Sequence, residues 1–127
     1  MVSVSAVVPT GGDTTANLGY LNIPQNSKSV AYTTVLSDSG KCIFHPLEDD
    51  NARTFTIASN ETVPYPIGTV IVFKNNTPTA LAIAIDTDTL TLDGAGTTGT
   101  RTLAQYGKAT AMKETSTSWS IGGVNLT

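Results

Sequence analysis

The stretch "LDGAGTTGTRTLAQY", residues 92 to 106, holds the spacing most suggestive of chemistry. Gly94, Gly96 and Gly99 spell G-x-G-x-x-G, and Glu114 lies downstream where a ribose-binding carboxylate would stand. Such a loop holds a pyrophosphate because its glycines let backbone amides approach and a following helix aims its N–H groups at the anion. That helix is missing here. "TRTLAQYGKATAMK" alternates, is rich in Thr and is interrupted by Gly107. No G-K-[ST] is present either. The loop therefore reads as a β-hairpin loop in which glycine supplies positive φ.

Two further clusters carry titratable groups. "HPLEDDNAR" gathers His45, Glu48, Asp49, Asp50 and Arg53. One His and two carboxylates could hold a metal, but three adjacent acids diverge in extended backbone and read as a solvated turn screened by Arg53. "DTDTLTLD" offers Asp86, Asp88 and Asp93 without the glycine and closing glutamate of a calcium loop, so turn chemistry is the simpler reading. A Ser–His–Asp arrangement would have to use His45, the one histidine, and no serine sits in a G-x-S-x-G turn. Trp119, Tyr65 and Tyr106 could stack on sugar rings; a Trp in a terminal strand reads first as core or interface. Cys42, the one cysteine, excludes an internal disulfide and reads as a small core residue in "KCIF". No catalytic, metal or cofactor site is expected.

The elements that would position these groups are strands. Period-two patterns dominate and no window shows a helical face. "VSVSAVV" alternates, and a polar Gly-containing stretch follows it, so residues 1–21 read as an extended arm ahead of one domain over 22–127. Short strands then recur: "SVAYTTVL" with Val30, Tyr32 and Leu36 on one side, "CIF" after the turn "DSGK", and "RTFTI". "VPYPIG" carries two prolines and cannot be a central strand. "TVIVFK" reads as a strand covered on both faces, and "ALAIAID" turns Leu81, Ile83 and Ile85 inward. "TLTL", "RTL", "KATAMK" after the turn "AQYG", and "WSIGG" complete about eight strands. The expected fold is all-β, a small antiparallel β-sandwich or barrel.

Composition narrows the partners. Charged residues are 13% of the chain, against about 25% in an average soluble domain, and Thr, Ser and Asn take their places. Such a surface repels copies of itself weakly. The net charge is −3 and the seven Lys and Arg are scattered singly, so no nucleic-acid stripe exists. The N-terminus has no basic region followed by an apolar run, so neither a secretory signal nor a membrane span is expected, and synthesis in a cytoplasm is.

Three phrases, "NIPQNSKSVAYTTVLSDSGKCIFHP", "ARTFTIASNETVPYPIGTVIVFKNN" and "LTLDGAGTTGTRTLAQYGKATAMKETSTSWSIGG", together resemble a small β-domain that recurs in tailed-bacteriophage virion proteins. The resemblance covers roughly residues 22 to 123 and brings no catalytic residue with it. It implies a non-enzymatic virion protein. Because the chain begins on a methionine, a stand-alone capsid decoration (cement) protein is expected, a homotrimer on the outer surface of the major capsid protein. In that reading the arm lies on or between capsid subunits, with Val2, Val4, Val8, Leu18 and Tyr20 in contact. The alternative it implies is a tail-fibre or spike module that binds host-surface glycan.

Overall fold

The computed structural model describes residues 22–127. The arm over 1–21, with Val2, Val4, Val8, Leu18 and Tyr20, lies outside the described residues. Those described form an all-β unit of nine strands: β1 (Gln25–Ser27), β2 (Tyr32–Thr33), β3 (Cys42–His45), β4 (Thr54–Ile57), β5 (Val70–Asn75), β6 (Leu81–Ile85), β7 (Thr89–Leu92), β8 (Arg101–Thr115) and β9 (Ser118–Leu126). A single 3-10 turn, Leu36–Asp38, interrupts them.

The strands make one open, curled sheet in the order β1-β3-β5-β8-β6-β4-β2, with β9 on β8 and β7 on β9. The chain steps alternately between two flanks. β1, β3 and β5 build one; β2, β4 and β6 build the other. Phe55 of β4 stacks on Phe73 of β5, ring centroids 6.5 Å apart, so the flanks face each other across the core. Each strand therefore lies beside the one laid down a lap earlier, running the same way.

This corrects the expected antiparallel pairing. Neighbours within each flank are parallel, as are β7 and β9; the antiparallel ladders are those of β8 with β5, β6 and β9. Parallel neighbours need a crossover, most often a helix. Here a strand on the opposite flank serves, and alternation of side chains is the same for either direction.

β8 joins the flanks. Arg101–Leu103 pair with β6, and Lys108–Met112 pair with β5. Between them the register to β9 jumps from Leu103↔Leu126 to Lys108↔Val124. The expected "AQYG" turn is thus a bulge inside one strand. Tyr106 takes φ 54° and Asn125 φ 59° there, and Asn125 Nδ2 donates to the Gln105 carbonyl at 2.9 Å. Extra residues on one strand bend it and raise its twist, which is what curls the sheet. Gly123 lets the two strands close: a Cβ there would overlap the Lys108 carbonyl oxygen.

The core is one cluster, with Ile43, Phe55, Ile57, Ile71, Phe73, Leu81, Ile83, Leu90, Leu103, Trp119 and Ile121 all buried. "SVAYTTVL" departs from expectation. Only Tyr32–Thr33 are strand, and Leu36 is exposed on the 3-10 turn, because the Asp38 carboxylate accepts the Val35 N–H at 2.9 Å and bends the chain.

Candidate functional site

Several of the groups singled out for chemistry are engaged in structure. His45 is fully buried on β3, edge-on to Phe55. Its Nδ1 donates to the Lys28 carbonyl at 2.9 Å, while Nε2 lies 3.5 Å from Asp49 Oδ2. Arg53 grips the same carboxylate with two bonds of 2.8 Å, and Asn51 adds a third at 2.6 Å. The guanidinium of Arg53 holds the Asp49 carboxyl well below the usual carboxylate range. The acidic turn is therefore tied to its screening arginine as read from sequence, and His45 is closed off from any substrate.

Gly94, Gly96 and Gly99 take φ of 80°, 73° and 115°, the conformations expected of them. The loop is not a hairpin, however. β7 pairs with β9, and the loop carries the chain from β7 to the start of β8 with a lone bridge, Thr91↔Thr98. Trp119 and Tyr65 are buried edge-to-face in the core, 5.4 Å apart, so neither ring is free to stack on a sugar; Tyr106 is 54% exposed. Asp88 accepts the Asn60 N–H at 2.7 Å, and beside it Asn60, Glu61, Thr87, Thr89 and Thr117 line an open polar depression of about 430 Å³.

Sequence reasoning missed two buried polar networks. Asp38, 1% exposed, accepts from Tyr32 Oη at 2.6 Å, Asn26 Nδ2 at 2.9 Å and the Val35 N–H. Burial, then this bond, pushes the Tyr32 phenol up to about 12. Lys113, equally buried, donates to Asn60 Oδ1 and the Tyr65 carbonyl, both at 2.8 Å. "KATAMK" gave a signal for it: alternation puts Lys113 on the side of Ala109 and Ala111, facing the core.

These networks fix an apolar corner. Tyr65 Oη donates to the Val35 carbonyl at 2.8 Å, and the Gly40 N–H donates to the Val70 carbonyl at 2.7 Å. The loop around Leu36 is thereby bound to the "PYPIG" loop. Val35, Leu36 and Ile67 stand out beside this junction, 45%, 55% and 67% exposed.

A second apolar surface is the outer side of β3, β5, β8 and β9. Register aligns Phe44, Lys74, Lys108 and Val124 in one row and Cys42, Val72, Thr110 and Gly122 in the next. Val70, Met112 and Ser120 form a third. Cys42 is half-buried on this outer side, which corrects its expected place in the core; β3 turns Ile43 and His45 inward instead. Burial pushes its thiol up, against the pull of Lys108 and Lys74. Nor is "TVIVFK" covered on both faces: Val70 and Val72 are only half-buried among the described residues.

Comparison of the chain with protein-family models, with curated proteins and with solved structures returns no match.

Proposed function

We propose that this chain is a non-enzymatic structural protein of a tailed-bacteriophage virion, a decoration subunit that docks as a homotrimer on the outer surface of the major capsid protein and stabilises it. The observation that supports this reading is the corner of Val35, Leu36 and Ile67. Val35 and Leu36 stand exposed on a loop that hydrogen bonds to Asp38 and Tyr65 tie to the core, and Ile67 stands exposed two residues after Tyr65. A soluble domain gains nothing in isolation from fixing such groups outward. A docking domain does, because a preorganised contact loses little entropy on binding. The low charge of the chain suits a surface that packs against others, and the acidic balance suits an outer position away from packaged DNA. Of the titratable groups of sequence interest, His45 is buried and Asp49 is paired with Arg53.

The test is binding to purified expanded capsids of the phage that carries this protein. Saturable binding at fixed stoichiometry, with increased resistance of the capsid to heat, supports the reading; failure to bind rejects it. Deleting residues 1–20 tests the contribution of the arm separately, since the reading expects the shortened chain to stay folded and lose capsid binding. The alternative, a fibre module that binds host glycan, draws on Tyr106, the exposed ring on the β8 bulge. Binding on a glycan array that is lost in Tyr106→Ala would favour it instead.

A further inference from the structure

We propose that the outer side of β3, β5, β8 and β9 is covered by a second copy of this chain, packed face to face about a two-fold axis that crosses the strands at the level of Ala111. The inference goes beyond the capsid reading and is independent of it, because it uses a different surface from the Val35–Leu36–Ile67 corner and needs no capsid.

The first argument is the sheet itself. β1, β3 and β5 are parallel neighbours, and sheets of parallel strands usually have both faces covered. One face of these strands is in the core. The other presents Cys42, Phe44, Val70, Val72 and Met112, half-buried or exposed, with no element of the described residues across them.

The second argument is the placement of charge, which identifies the occupant. Lys108 and Glu114 lie on this same side of β8, both exposed, and the ion pairs among the described residues use neither. They are six positions apart, about 20 Å along a strand, with Glu114 at the register shift between Lys113 and Thr115. Ala111 is the midpoint, and Thr110 and Met112 flank it on the outer side. A two-fold axis lying in the interface and crossing β8 there sets the two β8 strands antiparallel, so Lys108 of each copy meets Glu114 of the other. The contact is isologous: one patch that complements itself. A parallel alignment would instead stack Lys108 on Lys108.

Size sets the strength. Four strands at about 4.8 Å spacing, over about 20 Å of length, give a footprint of roughly 400 Å² on each copy before side-chain relief is counted. The total of roughly 800 Å² falls short of the roughly 1,000 Å² of a stable interface, so the association is weak and concentration-dependent.

The experiment uses the full chain in sedimentation equilibrium at low salt, from about 1 µM to about 1 mM, spanning the affinities such an interface supports. The wild type is compared with Lys108→Glu and with the swapped pair Lys108→Glu/Glu114→Lys. In parallel, the labelling rate of Cys42, the one thiol, is followed against concentration. The expected result is an even-numbered assembly, two copies or two trimers joined, that forms as concentration rises. Lys108→Glu weakens it at least about tenfold and the swapped pair restores it to within about threefold. Cys42 labelling slows as the assembly forms. A monomer or a lone trimer throughout overturns the proposal. So does a Lys108→Glu variant that associates like wild type, a swapped pair that fails to recover, or Cys42 labelling that ignores concentration.

Discussion

Tyr65 and Val35, thirty residues apart in sequence, are joined by a hydrogen bond of 2.8 Å from the phenol to the backbone carbonyl. The phenol also lies 2.7 Å from the Thr34 hydroxyl, and its ring packs edge-to-face on Trp119. One side chain thus carries the rigidity of the core out to the loop that displays Val35 and Leu36. Tyr65→Phe keeps the ring and removes the bond, leaving the Val35 carbonyl and the buried Thr34 hydroxyl short of a partner. The expected cost is about 1–3 kcal/mol, the usual price of an unsatisfied buried polar group, read as a lower urea midpoint with unchanged slope.

The close approach of β8 and β9 makes Gly123 the least replaceable glycine of the sheet. A methyl group there would overlap the Lys108 carbonyl oxygen, a backbone atom that cannot swing aside. Gly123→Ala is expected to lose about 3 kcal/mol or more, or to fail to fold, by thermal unfolding. Gly94→Ala, in the loop where a Cβ meets nothing within 4 Å, bears only the strain of φ 80° and should lose about 1–2 kcal/mol.

That contrast marks what was readable in the residues. Short alternating runs such as "RTFTI" and "ALAIAID" carry their strand character openly, and the inward set Phe55, Ile57, Leu81 and Ile83 follows from period two alone. The prolines of "VPYPIG" exclude a strand as plainly. Direction is different. A parallel and an antiparallel neighbour impose the same alternation, so the two-flank winding was not legible. Nor was the bulge at Tyr106: "AQYG" has turn residues, and only the continuation of both ladders beyond it makes it a bulge. Apolar character alone puts Cys42 in the core, whereas the phase of β3 sends Ile43 inward and Cys42 outward. The apolar corner was hidden for a related reason. Val35 and Leu36 look like strand residues, and the Asp38 carboxylate that diverts them acts through a hydrogen bond that composition does not announce.

Stability should fall in alkaline solution. Tyr65 and Tyr32 are both pushed up to about 12, chiefly by burial, while an unfolded phenol ionises near 10. Between these values the folded chain keeps protons that the unfolded chain has lost. The stabilisation is therefore complete below about pH 10 and disappears as pH rises through about 12. Buried Tyr65 accounts for on the order of 2 kcal/mol, and the more exposed Tyr32 for less. Urea midpoints measured from about pH 8 to about pH 11.5 should fall steadily above about pH 10, with a shallower fall in Tyr65→Phe.

The central claim is action by contact through the corner of Val35, Leu36 and Ile67, and the most direct measurement is capsid binding by Ile67→Asp beside wild type. Both side chains are exposed on the free domain, so the unfolding midpoint should move by no more than about 0.5 kcal/mol. Burying a carboxylate against an apolar partner should weaken binding to purified capsids by at least about tenfold and remove the gain in capsid heat resistance. Wild-type binding by a folded Ile67→Asp variant would contradict the claim.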